Sequence, residues 1–262
     1  MTRTPWLRRV VLLLSLALPT GVALAQEDAG TLVIEEGDIL RPREDTPARG
    51  MAKAVSTPTR LWNYKDPANP KVVLVPYTLS SNLSTKAKAA INAAIADYTR
   101  LTCVRFVPRV NQPNYVQFFD GGGGQCYSHF GMRNDGMQKL SVGDYCDVKG
   151  VVLHGMNHTL GFSHEISRPD RDRYVTIEVN KVKREMLFYF TIDPQIDTQG
   201  LPYDYGSIMH YPRNAFSTDG SRTITTKDPK AQSTIGQRVG LSKLDIQKIN
   251  KLYKCELPAP AP

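Results

Sequence analysis

The chain has 262 residues, of which 41% are hydrophobic and 22% are charged. This balance excludes a wholly disordered or collagen-like protein and allows one or two domains with a hydrophobic core. Lysine and arginine outnumber aspartate and glutamate by 33 to 25, giving a net charge of +8, which by itself only favours acidic partners.

The first segment, residues 1–25, has the layout of a cleaved secretory signal peptide. A stretch with three arginines precedes the apolar run Val10–Leu18, and the segment ends in Ala-Leu-Ala at Ala25. A membrane anchor is the alternative, but this run is much shorter than the roughly 20 residues that a spanning helix needs. We therefore predict a secreted or periplasmic protein without a membrane anchor. The adjacent pair Arg8-Arg9 leaves twin-arginine export open.

Residues 26–53 form an acidic leader with seven acidic and four basic side chains, a net charge of −3. The body that follows is basic, with a net charge of +8 over residues 54–262. Opposite charges favour docking of the leader on the body. Charge alone is equally compatible with a solvated linker.

The first half of the body is predicted to contain two strands and a helix. Lys71–Leu79 is a valine-rich strand and Tyr115–Phe119 a short strand. Between them, Ser84–Thr102 reads as an amphipathic helix that Ser84 can cap. Its predicted inward face consists of Ile91, Ile95, Tyr98 and Leu101.

The second half is predicted to contain two helices separated by irregular chain. Val151–Gly161 is a helix, Arg168–Thr226 lacks periodicity, and Leu241–Cys255 is a closing helix. Ser242 and Asp245 can form a capping pair. The predicted inward side chains of the closing helix are Leu244, Ile246, Ile249 and Leu252. We expect the tail, residues 256–262, to be disordered.

Four cysteines lie in the exported part: Cys103, Cys126, Cys146 and Cys255. An even number in an exported chain predicts two disulfides, with three possible pairings. A structural zinc cluster is the alternative, but no Cys-x-x-Cys pair is present.

Three of the five histidines fall within eleven residues. His154 and His158 are separated by four residues, so they share one face of a helix and can reach one metal ion. Gly161 can end that helix in a left-handed conformation and turn His164 back toward the pair. Three imidazoles with an open fourth position are typical of catalytic zinc. We interpret His129 and His210 as non-ligands.

This histidine pattern resembles the zinc motif of the metzincins. The continuation from His164 to Asp172, the segment Ser207-Ile208-Met209-His210-Tyr211 and the stretch Cys103–Arg109 are similar to the astacin family of zinc metalloendopeptidases. The resemblance extends from about Leu61 to Cys255. It implies an α+β, metzincin-like catalytic domain of two subdomains over residues 54–255. The N-terminal part would have a mixed sheet and helices, and the C-terminal part would be largely irregular with a terminal helix.

The resemblance also implies roles for individual residues. One Zn²⁺ per chain would be held by His154, His158 and His164, with Met209 packed beneath it. Tyr211 would be a fifth ligand in the resting site and would stabilise the oxyanion during turnover. The implied disulfides are Cys103–Cys255 and Cys126–Cys146.

Two further residues would act in latency and maturation. Asp38, in a leader segment similar to the inhibitory segment of the family, would cap the zinc in the latent form. Residues 26–53 would then be an inhibitory propeptide. Glu165 would receive the new N-terminus, near Ala52–Ala54, after the leader is cut.

One position departs from the family motif. The family has glutamate directly after the first histidine, whereas this chain has Gly155. That glutamate is the general base and acid of peptide hydrolysis, and glycine has no side chain to replace it.

Three functions remain open from the sequence. The chain can be a zymogen-type zinc endopeptidase weakened by Gly155, or a zinc-binding pseudoprotease that holds peptides without cleavage. A disulfide-bonded structural domain without metal is a third reading. We expect the partners to be a protein or peptide substrate and the chain's own propeptide. We expect no nucleic-acid partner, and we expect a monomer. Family members often favour an acidic residue just after the cleaved bond.

Overall fold

The computed structural model describes residues 32–35, 37–42 and 61–256. The predicted signal peptide and the predicted mature N-terminus lie outside these residues, as do residues 257–262 of the predicted tail. In the described part, no helix combines the length and the apolar character needed to cross a bilayer.

The first half of the body is built on a mixed sheet of eight strands, to which the leader contributes two. The strands are β1 (Leu32–Glu35), β2 (Ile39–Pro42), β3 (Tyr64–Asp66), β4 (Asn69–Leu79), β5 (Val104–Pro108), β6 (Tyr115–Phe119), β7 (Ser128–His129) and β8 (Met137–Ser141). Their order is β1-β2-β7-β8-β6-β4-β3, and β5 pairs with β4. The predicted strand at 71–79 is therefore confirmed as β4, which begins two residues earlier.

Helix α1 (Thr85–Leu101) packs on this sheet. Ser84 caps it by accepting a hydrogen bond from the backbone N–H of Ala87 at 3.0 Å. Its buried residues are Ala87, Ala90, Ile91, Ala94 and Tyr98. The predicted inward face is confirmed for Ile91 and Tyr98, and Ile95 packs against the core while partly exposed. The prediction missed the three buried alanines, whose small side chains allow the helix to lie close to the sheet.

Helix α2 (Lys149–Thr159) packs against α1, and it starts and ends two residues before the predicted bounds. Two glycines set its position. A Cβ on Gly150 would lie 1.7 Å from the carbonyl oxygen of Arg238, so only glycine allows this approach. Gly161 has φ +97°, which lets the chain reverse directly after the helix.

The C-terminal half has little regular structure, as predicted. Between residues 165 and 231 it consists of short 3₁₀ turns and a two-stranded ladder of β9 (Val175–Ile177) and β10 (Ile224–Thr226). It has its own apolar cluster around Ile166, Tyr203 and Ile224, separate from the larger core under the sheet. The two cores correspond to the two subdomains expected of an α+β metzincin-like domain.

Helix α3 (Lys243–Leu252) closes the chain and is shorter than predicted. Ser242 and Asp245 form the predicted capping box. Of the predicted inward side chains, Ile249 is buried and Leu252 packs against the larger core, whereas Leu244 and Ile246 are partly buried. The other buried residues of α3 are polar, namely Asp245, Lys248 and Asn250, and each forms a hydrogen bond with a residue in another segment of the protein.

Candidate metal centre

The three histidines of the motif converge from two sides of the turn at Gly161. His154 and His158 lie one turn apart on α2, and their ring centroids are 4.7 Å apart. The ring of His164 comes from beyond the helix, with its centroid 4.7 Å from His158 and 5.3 Å from His154. All three are buried.

The carbonyl groups around the site fix which ring nitrogen points inward. The Nδ1–H of His154 donates to the carbonyl oxygen of Ile208 at 2.7 Å, and that of His158 donates to Phe162 at 2.8 Å. Because a carbonyl only accepts, the neutral form of each ring carries its proton on Nδ1 and turns an unprotonated Nε2, the atom that can bind a metal, toward the site. These two Nε2 atoms lie 3.1 Å apart.

The carboxylate of Asp38 lies between the three rings. Its Oδ2 is 2.7 Å from Nε2 of His154 and 3.3 Å from Nε2 of His164, and its Oδ1 is 3.4 Å from Nε2 of His158. The leader holds this residue in place, because the backbone N–H of Ser128 donates to the Asp38 carbonyl at 2.9 Å and β2 pairs in parallel with β7.

The ionisation of the site favours metal binding. Burial, and then the charge of Arg238, lowers the pKa of His154 to about 3, and burial also lowers the pKa of His158. Burial alone would raise the pKa of Asp38, but the facing imidazoles His164, His158 and His154 outweigh it and hold that pKa well below the usual range. Neutral imidazoles and an ionised carboxylate are the forms that bind a cation.

The donor set fits zinc. Four ligand atoms, one each from Asp38, His154, His158 and His164, lie within 4.8 Å of one another. Tetrahedral zinc with bonds of about 2.0–2.1 Å places its ligand atoms roughly 3.3 Å apart, close to the separations found here. The Oδ1 atom of Asp38 is buried without a hydrogen-bond donor, as expected of an oxygen that faces a metal position. Three imidazoles and one carboxylate are ligands that zinc accepts.

Tyr211 lies beside the histidine cluster, and the Met209 carbonyl accepts the backbone N–H of Glu165, the residue after His164, at 3.1 Å. Met209 is 3% exposed and belongs to the larger core. The ring of Tyr211 packs against that of His164, with a centroid distance of 4.5 Å, and also against Phe190 and Phe216. These contacts put the tyrosine beside His164, one of the predicted metal ligands.

Glu165 lies in a buried polar cluster. Its Oε1 accepts hydrogen bonds from Arg168 at 3.2 Å and from the backbone N–H of Asp204 at 2.9 Å, and its Oε2 pairs with the ammonium of Lys248. Its expected partner, the mature N-terminus near residues 52–54, lies outside the described residues.

The other predicted cysteines and histidines can be placed directly. Cys103–Cys255 and Cys126–Cys146 are both disulfides, as the resemblance implied. His210 shares a hydrogen bond with the Tyr203 hydroxyl at 2.7 Å, and His129 lies beside Arg133. Within the described residues, neither histidine belongs to the group of possible metal ligands.

Gly155 lines a cavity of about 590 Å³ together with His154, His158 and Asp38. A Cβ at position 155 would meet the side chain of Leu140 at 3.4 Å, an ordinary contact distance. The position therefore lines the cavity and accommodates a Cβ at contact distance from Leu140.

Sequence reasoning missed two cations near the site. Arg238 lines the cavity, and its guanidinium donates to the carbonyl oxygens of His210 and Gln237 at 3.2 and 2.9 Å. Lys248 is 9% exposed and pairs with Glu165. Neither residue carries a local sequence signal, because both owe their positions to partners in distant segments.

Comparison with known proteins agrees with this geometry. The model of the peptidase family described as Astacin matches residues 58–254. Zinc metalloproteinase nas-15 of Caenorhabditis elegans is 42% identical over 191 residues, which make up 72% of this chain and 33% of that protein. The beta subunit of meprin A of Rattus norvegicus is 40% identical over 183 residues, 69% of this chain and 26% of that protein.

A solved structure shows the same fold. High choriolytic enzyme 1, a hatching enzyme zinc-protease from Oryzias latipes, matches with 37% identity and a TM-score of 0.69. The match covers 79% of this chain and all of that one. This chain spans only about a quarter to a third of the length of nas-15 and meprin A beta. On the family model, the shared fold and these relatives, the chain belongs to the astacin family of zinc metalloproteases.

Proposed function

We propose that the chain is an exported, latent zinc metalloendopeptidase of astacin class whose hydrolytic step is weakened by Gly155. The convergence of three imidazole Nε2 atoms on one point, with Asp38 opposite them, carries this proposal. The proposed organisation is a signal peptide over 1–25, an inhibitory propeptide over 26–53, a catalytic domain over 54–255 and a tail over 256–262. We propose a secreted or periplasmic monomer.

The bound zinc would supply a Lewis acid for the scissile carbonyl and a water of lowered pKa. The chain's own residues would do the remaining work. His154, His158 and His164 would hold the metal, with the carbonyl oxygens of Ile208 and Phe162 keeping two of the rings in orientation. The hydroxyl of Tyr211 would stabilise the developing oxyanion from beside His164.

The missing carboxylate at position 155 is the weak point of this machinery. General acid–base catalysis contributes about 10²–10⁴-fold to the rate, or roughly 3–5 kcal/mol of barrier. The nearest candidates are committed elsewhere, since Asn157 bonds the Tyr98 hydroxyl and Glu165 pairs with Lys248 and Arg168. We therefore expect the native chain to cleave peptides much more slowly than a member with the glutamate.

The second candidate function is peptide binding without cleavage. Gly155 favours it, because the glycine removes the catalytic group while leaving the zinc ligands and the cavity intact. Such a pseudoprotease would hold an extended peptide or a protein partner in the cavity that Gly155 lines.

Latency is supported by the leader itself. The Asp38 carboxylate faces all three histidines as a fourth ligand, and β2 adds a strand beside β7. A carboxylate in this position would take the coordination site that a catalytic water needs.

The cavity also supports a substrate preference. Its walls combine the apolar side chains of Met186, Tyr189 and Phe216 with the cation of Arg238. A partly buried guanidinium in a substrate cleft favours a carboxylate. We therefore propose protein or peptide substrates with an acidic residue near the cleaved bond.

Metal analysis of the purified chain tests the core of the proposal. One zinc per chain is expected, and His158→Ala should lose it. If the protein remains folded but holds near-zero zinc after dialysis against zinc-containing buffer, the only function left is that of a disulfide-bonded structural domain without metal.

A further inference from the structure

The segment Ser207–Met209 links two of the metal-binding histidines. Its Ile208 carbonyl accepts the Nδ1–H of His154 at 2.7 Å, and its Met209 carbonyl accepts the backbone N–H of Glu165, the residue after His164, at 3.1 Å. This three-residue segment therefore sets both the ring orientation of His154 and the place where His164 emerges from the turn.

Asp245 holds this segment from the opposite side. Its Oδ2 accepts the backbone N–H of Ile208 at 2.8 Å, and its Oδ1 accepts the hydroxyl of Ser207 at 2.6 Å. The same Ser207 oxygen accepts the backbone N–H of Met209 at 3.0 Å. One buried carboxylate on α3 thus fixes the chain on both sides of the carbonyl that orients His154.

The burial of Asp245 shows that these bonds are not ordinary capping contacts. A helix-capping carboxylate needs only the neighbouring backbone N–H, here that of Ser242 at 2.9 Å, and such residues usually remain exposed to water. Asp245 is instead 2% exposed, so its two bonds to Ser207 and Ile208 replace water as its solvation.

We infer that Asp245 is a positioning residue for the metal centre, acting on His154 through the backbone of Ile208. The inference rests on the proposed zinc site. It links the last helix of the domain to metal affinity, although Asp245 contacts none of the three histidines. Loss of groups that orient a metal ligand typically weakens metal binding about 10–100-fold.

Zinc affinity of the full chain, measured by competition with a chromogenic chelator, tests this. Asp245→Ala is expected to weaken zinc binding about 10–100-fold. Ser242→Ala is the matched control, because it removes the other half of the capping box but leaves the Asp245 carboxylate on Ile208 and Ser207. The control should lower the Tm without changing the zinc affinity.

The conservative variant Asp245→Asn adds a rescue, since its amide oxygen can still accept the Ile208 N–H. It is expected to bind zinc more tightly than Asp245→Ala. When cobalt(II) replaces zinc, the visible spectrum of Asp245→Asn should be closer to that of the wild-type protein than the spectrum of Asp245→Ala is. Absence of this rescue counts against the inference. So does an Asp245→Ala chain that binds zinc as tightly as Ser242→Ala.

Ser207→Ala covers the case in which Asp245→Ala does not fold. It removes one donor to Asp245 and the acceptor of the Met209 N–H, so weaker zinc binding is expected, and unchanged affinity overturns the inference. A wild-type chain that binds no zinc would overturn the proposed function as well. Wild-type binding with equal affinity in the variants overturns only the role of Asp245.

Discussion

Replacing Gly155 with glutamate is expected to restore peptide hydrolysis. The substitution places a carboxylate on α2 directly after His154, in the cavity that the proposed metal ligands His154 and His158 line. Its Cβ would lie 3.4 Å from the side chain of Leu140, so the backbone need not move. Replacement of a helical glycine also stabilises α2 by up to about 1 kcal/mol.

The size of the gain follows from the lost chemistry. A general base and acid is worth about 10²–10⁴-fold in rate, which corresponds to about 3–5 kcal/mol of barrier. The gain should appear in kcat rather than KM, because the carboxylate acts on the transferring proton and contributes little to holding the peptide.

The assay compares three mature chains on an internally quenched peptide: Gly155, Gly155→Glu and Gly155→Gln. The glutamine variant fills the same space and gains the same helix stability without a basic carboxylate. Zinc content should be equal in all three, since none of the histidines is changed.

Two outcomes would refute this reasoning. If Gly155→Glu cleaves no faster than Gly155→Gln, the hydrolytic mechanism inferred from the family does not operate here. If the native chain already matches Gly155→Glu, another group supplies the proton transfer and the glycine does not weaken the site.

Three other changes test separate parts of the site. Asp38→Ala in full-length Gly155→Glu should raise cleavage by at least about 10-fold, because the leader loses a charged contact with the site of about 1.5–3 kcal/mol, and about 1.4 kcal/mol is tenfold; unchanged activity would remove Asp38 from latency. Arg238→Ala should reduce the preference for an acidic over a neutral residue near the cleaved bond by about 10–100-fold, since a charge-assisted hydrogen bond contributes about 1.5–3 kcal/mol. An equal fall in kcat/KM for both peptides would contradict this role. Burial raises the pKa of Asp245 to about 6, above an unfolded value of about 3.9. Its contribution to stability is therefore greatest below about pH 4 and falls as the pH rises through 6. Urea unfolding at several pH values should show a flatter profile for Asp245→Asn than for wild type, by up to about 3 kcal/mol between pH 4 and 7, and parallel profiles would contradict the shift.

Much of the site followed from local sequence patterns. The spacing of His154 and His158 fixes them on one helix face, and Gly161 supplies the positive φ that ends the helix. The caps at Ser84 and Ser242 were predictable for the same reason, since each depends on a hydrogen bond to a backbone group three residues away. Helix bounds were off by about two residues, because helix ends depend on contacts as well as on propensity.

The inward faces of the helices were harder to predict. Periodicity assigned only large apolar residues to the core, whereas α1 also packs through three alanines and α3 also buries Asp245 and Lys248. Apolar periodicity measures how readily a residue leaves water, and a polar side chain with well-placed partners can leave it too. Those partners belong to distant segments and leave no trace in the helix pattern.

The sequence by itself determined the helix that carries His154 and His158, its glycine turn and the missing carboxylate at Gly155, because each depends on residue type and on spacing within one or two turns of backbone. Only the tertiary structure brought Asp38 to His154 across 116 residues, His154 to Ile208 across 54, and Ile208 to Asp245 across 37. Contacts at such separations depend on how the leader, the sheet and the closing helix pack together. That packing is set by the whole core rather than by any local pattern.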